Sequence, residues 1–423
     1  MFSIDGKPSK PDCSLNGDSI LTFFPLAMRQ ESEEEILIGR EDISCFVLLP
    51  RIGVRIIELL NQGFPVKEAE AAIAMEAGEP VEILEFANDL LVDPPFIHMV
   101  DHIVVNEPAL PKVSFPWIPK KLGILLFMPW AYCLYGTIVL LGIVAAVQSR
   151  AVSIPRFTDI LISSSTSASL FAIASVSWGF LLIHELAHLL AARSIGVPAN
   201  IRLSHRLVFP VAETNMSNIV LLHPKQRYKA YLAGMMLECV YISLSFIIQY
   251  LHYHAYVYVS PLMLGLLKLI NVSLLCSLAF QFLFFMKTDI YYVATTFLRC
   301  NNLLHNTGLA LRNKFGLLRA NERKEWDSVD QREKNIIKWY IWIYIVGIAS
   351  VLWFFIDFIV LDAMGIFLAV IHQLREHSLY SWRFVDGLAT LLFLSEPFIL
   401  LVWAWRRQGT RRITPWTSSG HNR

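Results

Sequence analysis

His184-Glu185-Leu186-Ala187-His188 is the run in this 423-residue chain whose residue types and spacing could do chemistry. Residues four apart share a helix face, so both imidazoles can address one cation with the carboxylate beside them. Zinc suits that donor set, because it takes neutral imidazole nitrogen and leaves one position for water. The metal acidifies that water, and Glu185 is placed to accept its proton and pass it to a leaving amine. The plain alternative is a group of polar residues solvated at a helix end. It is costly here. The flanks are Trp178-Gly179-Phe180-Leu181-Leu182-Ile183 and Leu189-Leu190-Ala191-Ala192, and a charge at mid-membrane costs about 2.5–3.5 kcal/mol on insertion scales. A catalytic zinc takes three protein ligands. Asp289, in Phe285-Met286-Lys287-Thr288-Asp289, lies at the inner end of a later apolar stretch, at a depth that suits the histidines. It would serve equally as the N-cap of a helix over 290–299.

The elements that must position these residues are membrane helices. Apolar residues make up 55 % of the chain and charged residues 17 %, against about a quarter charged in soluble proteins. The net charge of +1 conceals an asymmetry: residues 1–110 hold 7 basic and 20 acidic side chains, whereas 111–423 hold 29 and 15. The chain therefore divides into an acidic soluble part and a basic apolar part. Six stretches are long and apolar enough to span a bilayer: Leu122–Val147, Ser169–Ala192, Ala230–Leu251, Val259–Met286, Tyr340–Ile371 and Val385–Trp405. With the N-terminus inside, the inner flanking segments carry 24 basic residues and the outer loops 4. That bias places both termini in the cytoplasm. The expectation is an integral protein of a cytoplasmic membrane, bacterial in character. Residues 197–224 mix β-branched and polar residues with two prolines before Met216, which suits a re-entrant or interfacial β-hairpin against a cavity. Its Glu213, Thr214, Asn215 and Asn218 would either line a substrate path or satisfy turn backbone. Glu238 falls in the third stretch and could stand near the site.

The six cysteines form no CxxC pair, which argues against a disulfide framework or a thiolate zinc site. No cleavable signal is visible in the first thirty residues. The N-terminal part reads as a small α+β unit over 20–110. Strands are expected at Glu35–Gly39 and Cys45–Leu49, helices at Ile52–Asn61, Val66–Ala77 and Val81–Leu91, and a returning strand at His102–Val105. Its 13 excess negative charges would repel phosphate, so nucleic acid is excluded as a partner. Residues 1–19 read as a disordered lead, 306–338 as a polar cytoplasmic helical linker, 339–406 as the last two spans and 407–423 as a basic, disordered tail.

Phe180-Leu181-Leu182-Ile183-His184-Glu185-Leu186-Ala187-His188, the hairpin-like segment, Leu232-Ala233-Gly234-Met235 and Lys287-Thr288-Asp289-Ile290-Tyr291-Tyr292 together resemble the site-2 protease family, in its peptide zinc metalloprotease branch. The likeness covers roughly 120–305 and implies an intramembrane metalloprotease core over 111–305. It implies His184, His188 and Asp289 as zinc ligands, Glu185 as general base, and a hairpin that presents substrate as a strand. Two departures stand out. Ile290 follows the aspartate where the family commonly has glycine, and Gln281 stands where an Asn-x-x-Pro would be. The strand, Leu49-Pro50-Arg51-Ile52-Gly53, helix, Gln62-Gly63-Phe64-Pro65 order resembles the PqqD-like winged-helix module, which grips leader peptides by strand addition. The combined expectation is a mainly α-helical polytopic membrane protein that removes leaders from ribosomally made peptides. Two rivals stand beside it: regulated cleavage of a transmembrane regulator, and a non-catalytic immunity or export partner.

Overall fold

The computed structural model describes residues 15–409, apart from 79, 93, 111–112, 150–151, 153–158, 160–161, 163–164, 207–208, 301, 355 and 357–362. The chain divides into two compact units. Among the described residues, the first holds those up to Ser114 together with Met216–His223; the second holds Phe115–Asn215 and Pro224 to Gly409.

In the first unit, β1 (Leu21–Phe23), β2 (Ala27–Gln30), β3 (Glu35–Arg40) and β4 (Cys45–Pro50) precede three helices: α1 (Arg51–Asn61), α2 (Val66–Ala77) and α3 (Ile83–Val92). Strands β5 (Ile97–Val100) and β6 (Ile103–Val104) follow. Two antiparallel sheets result, ordered β1-β5-β6 and β2-β3-β4. Gly78 closes α2 in the left-handed conformation at φ 75°, which glycine adopts without strain. Leu21, Ile38, Ile57, Leu60, Ile73, Ile83 and Ile97 form one core between the helices and sheets, and Leu15 joins it. Ser19 is buried too, so the folded unit begins before residue 20. Arg40 is 2 % exposed: its guanidinium stacks 3.4 Å from the Phe24 ring centroid and donates to Pro95 O at 2.6 Å. Residues 216–223 join this unit through Arg29, which donates to Val220 O and to Leu222 O (3.0 Å), and through Asn218 Nδ2, which donates to Glu41 O (2.9 Å).

The second unit is a helical body. It runs α4 (Lys120–Leu126), α5 (Pro129–Gln148), α6 (Thr166–Ser194), β7 (Asn200–Arg206), β8 (Phe209–Asn215), α7 (Pro224–Tyr231), α8 (Ala233–Tyr253) and α9 (Pro261–Gln281). Then come α10 (Asp289–Leu298), α11 (Leu303–Lys314), α12 (Ala320–Ser328), α13 (Gln331–Phe354), α14 (Ala363–Glu376) and α15 (Trp382–Gly409). Five helices among the described residues are long and apolar enough to cross a membrane: α5, α6, α8, α9 and α13. Four match expected stretches. In the fifth stretch, Tyr340–Ile371, the described residues form the end of α13, up to Phe354, and the first part of the 14-residue α14, from Ala363. Asp357, an acid within that stretch by the sequence, lies outside the described residues. The sixth stretch is helical within α15, which is not among the five. The region 306–338 is helical, as expected, through α11, α12 and the start of α13.

Small residues allow these helices to approach closely, as they must where no hydrophobic force acts between helices in lipid. A Cβ on Gly142 of α5 would lie 2.4 Å from Ser243 of α8, and one on Gly123 of α4 would lie 2.4 Å from Leu190 O of α6. Ser165 caps α6 by accepting from Ala168 N (3.2 Å), while Ser165 Oγ and Ser167 N donate to Asp386 of α15. Burial along α6 is polarised. Phe171, Trp178 and Leu182 are exposed, whereas His184, Glu185 and Ala187–Ala192 are buried.

Candidate metal centre

His184 and His188 lie one turn apart on the buried half of α6 and are each 2 % exposed. Their Nε2 atoms stand 3.0 Å apart. Asp289, the first residue of α10, brings Oδ2 to 3.0 Å from His184 Nε2 and 3.1 Å from His188 Nε2. The three atoms form a nearly equilateral triangle. A helix alone supplies only two of them; the third depends on the connection after α9. There, a 3-10 turn over Phe284–Met286 is followed by Lys287 at φ 56°, and the chain is turned into α10. Gln281, the last residue of α9, holds this connection. Its Oε1 accepts from Asp289 N (3.1 Å) and its backbone carbonyl accepts from Thr288 Oγ1 (2.7 Å).

The far side of His188 fixes its tautomer, and that of His184 faces an acid. His188 Nδ1 donates to Ala230 O at 2.7 Å, so a neutral ring leaves Nε2 as a lone pair. His184 Nδ1 lies 3.0 Å from Glu238 Oε1, although the N–H is not aimed along that line and makes no well-directed hydrogen bond. With the proton on that side, His184 Nε2 is likewise a lone pair. Two lone pairs and a carboxylate oxygen then converge within 3.1 Å. Three acceptors need a positive centre. One extra proton could be directed at only one partner, whereas a cation satisfies all three. His184, His188 and Asp289 therefore fit a metal ion, with a carbonyl and a carboxylate behind the histidines as metal-binding imidazoles ordinarily have.

Glu185 is 6 % exposed, and a ligand atom from each of His184, Glu185 and His188 lies within 4.8 Å of the others. This grouping could hold a metal ion. Its carboxylate is fixed from outside the helix: Thr214 Oγ1 of β8 lies 2.7 Å from Glu185 Oε2 and 3.0 Å from Glu185 O. The expected hairpin is present. Asn200 pairs with Asn215 and Arg206 with Phe209, so the ladder runs its whole length.

The four hairpin residues expected along a substrate path separate. Thr214 reaches Glu185. Glu213, next to it and therefore on the other strand face, receives hydrogen bonds from its ladder partner Arg202 at 2.8 Å. These two line an open cavity of about 360 Å³ with Ser204, Met286, Lys287 and Tyr292. Asn215 closes the ladder opposite Asn200. Asn218 belongs to the first unit, where its Nδ2 donates to Glu41 O.

Three residues complete the centre beyond those expected as ligands or base. Gly234 of α8 lies against the face of the His184 ring, where a Cβ would be 2.4–2.6 Å from three ring atoms. Glu238 lies one turn later on the same helix, and Gln281 holds Asp289. The sequence signal for the first two is a glycine and an acid four apart in an apolar helix. Comparison of the chain with family models, curated proteins and solved structures returned no match.

Proposed function

We propose that the chain is a membrane-embedded zinc endopeptidase of the site-2 protease kind, cutting an extended peptide near the cytoplasmic face. The observation that carries this reading is the convergence of His184 Nε2, His188 Nε2 and Asp289 Oδ2 beside the buried Glu185 carboxylate. A bound zinc would supply Lewis acidity, polarising the scissile carbonyl and making a water nucleophilic at neutral pH. His184, His188 and Asp289 would hold it. Glu185 takes a proton from the attacking water on its free carboxylate oxygen and returns it to the leaving amine. Thr214 donates to the other oxygen, so Glu185 keeps one fixed orientation. The buried setting of α6 excludes bulk water from the groups that move the proton.

A helical substrate has its carbonyls hydrogen-bonded, so it must be extended before attack. The β7–β8 hairpin offers strand edges that suit an extended segment. The acidic N-terminal unit fits capture of a leader, which makes maturation of a ribosomally made peptide the specific reading. In that scheme both termini face the cytoplasm, α15 is a sixth span, and residues 20–110 are a winged-helix-like recognition module.

The test is metal content and peptide cleavage by the purified full chain in detergent, wild type against Glu185→Gln. Wild type should carry about one zinc per chain, as one His2Asp site requires, and cut fluorogenic extended peptides. Glu185→Gln should keep the zinc and lose cleavage by at least about 10²-fold, the lower range for a general base. Full cleavage by Glu185→Gln would refute the mechanism.

A further inference from the structure

Glu238 is a buried acid that the reaction above does not use. It is 3 % exposed, on a helix with apolar neighbours, where an unneeded carboxylate is costly. Two contacts and one unpartnered atom define its setting. Oε1 lies 3.0 Å from His184 Nδ1 and accepts from Ser277 Oγ of α9 at 2.6 Å. Oε2 has no hydrogen-bond partner among the described residues. Gly234, one turn earlier on α8, gives the same imidazole a flat surface. Gly234 and Glu238 therefore act on one ring from one helix face: the glycine makes room for it and the acid addresses its far nitrogen. Ser277 in turn fixes the acid from α9, the helix whose C-terminal connection carries Asp289.

We infer that Glu238, held by Ser277, is a positioning residue: it fixes the Nδ1–H tautomer and orientation of His184 and so tunes the affinity and electronics of the metal centre. The inference rests on the metal-dependent reading given above. A neutral His184 with its proton on Nε2 would offer no lone pair to the cation. A carboxylate beside Nδ1 selects against that tautomer and makes the ring a stronger donor. The N–H is not aimed at Oε1 in this structure. A small rotation of the ring towards Glu238 would align it. Glu238 is not a fourth ligand, because it lies on the side of the ring away from the His188–Asp289 triangle.

The test is zinc affinity of the full chain in detergent, by competition with a chromophoric chelator, together with the visible spectrum of the cobalt-substituted protein and the melting temperature of the metal-free protein. Glu238→Gln should weaken zinc about 10–100-fold, the usual loss for removal of an imidazole's outer partner. It should shift the cobalt bands while leaving the metal-free melting temperature within a few degrees of wild type. Glu238→Asp should recover part of the affinity, and Ser277→Ala should lower it several-fold. Unchanged zinc affinity and cobalt bands in Glu238→Gln would overturn the positioning role and leave the metal reading intact. Equal loss of melting temperature with and without metal would also overturn it, by making Glu238 a packing residue only. A wild-type chain that takes up neither zinc nor cobalt would overturn both.

Discussion

Gly234→Ala adds a single methyl group and should disable the metal centre. The added Cβ would lie 2.4 Å from His184 Nε2, 2.5 Å from Cε1 and 2.6 Å from Cδ2, so it meets the ring over its face. Ordinary contact begins at 3.4 Å, so the ring must retreat by about 1 Å. Gly234 has no positive φ, so alanine fits the backbone and the effect falls on the ring alone. A metal site tolerates ligand displacements of about 0.2 Å, and a 1 Å misplacement can cost about 10²-fold in rate. The fold should survive. Overpacking costs about 1–3 kcal/mol, partly offset by up to about 1 kcal/mol of helix propensity. The measurements are zinc affinity by chelator competition, cleavage rate and melting temperature on one preparation. The expected result is zinc affinity and cleavage each down by about two orders of magnitude with a loss of only a few degrees. Gly234→Ala with wild-type zinc affinity would show that the ring does not need this surface, and would remove Gly234 from the account of the centre.

Three further substitutions separate ligand from support. Asp289→Ala removes one corner of the acceptor triangle and should abolish stoichiometric zinc, as should His184→Ala; zinc retained in Asp289→Ala but lost in His184→Ala would move the third ligand elsewhere. Thr214→Val keeps shape but removes the hydroxyl on Glu185, a hydrogen bond to a charged group worth about 1.5–3 kcal/mol. It should slow cleavage about 10–100-fold at unchanged zinc content, and an unchanged rate would show that Glu185 is oriented from within α6.

The elements legible in the sequence were those whose causes are local. Val66–Ala77 carries helical spacing and ends on Gly78, and α2 has those bounds. Glu35–Gly39 and Cys45–Leu49 are apolar runs around a short turn, and β3 and β4 pair there. Strands β1, β2 and β5 were not anticipated: they are three or four residues long, and Leu21 finds its partner at Val100, nearly eighty positions away. The same distinction holds at the metal centre. The two histidines and Glu185 are fixed by one helix's periodicity, which the sequence displays. Gly234, Glu238 and Gln281 matter through the register of α8 and α9 against α6, and no local pattern sets that register. Glu213 and Thr214 adjoin in sequence, yet the period of a strand sends one to the cavity and the other to Glu185.

The way the centre is assembled bears on what it can do. A metal bound by one helix would have a donor set fixed by helical geometry, and its general base would rotate freely. Here each functional atom is restrained from a different element: His188 by Ala230, at the end of α7; His184 by Gly234 of α8; Asp289 by Gln281 of α9; and Glu185 by Thr214 of the hairpin. The hairpin restraint differs from the other three, because it is borne by the strand that an extended substrate would also use. Substrate pairing along β7 or β8 would therefore act on the same strand backbone that aims the base. If the chain cleaves peptides as proposed, orientation of Glu185 and occupancy of β8 would be two readings of one strand position, and proton transfer would then depend on a correctly seated peptide.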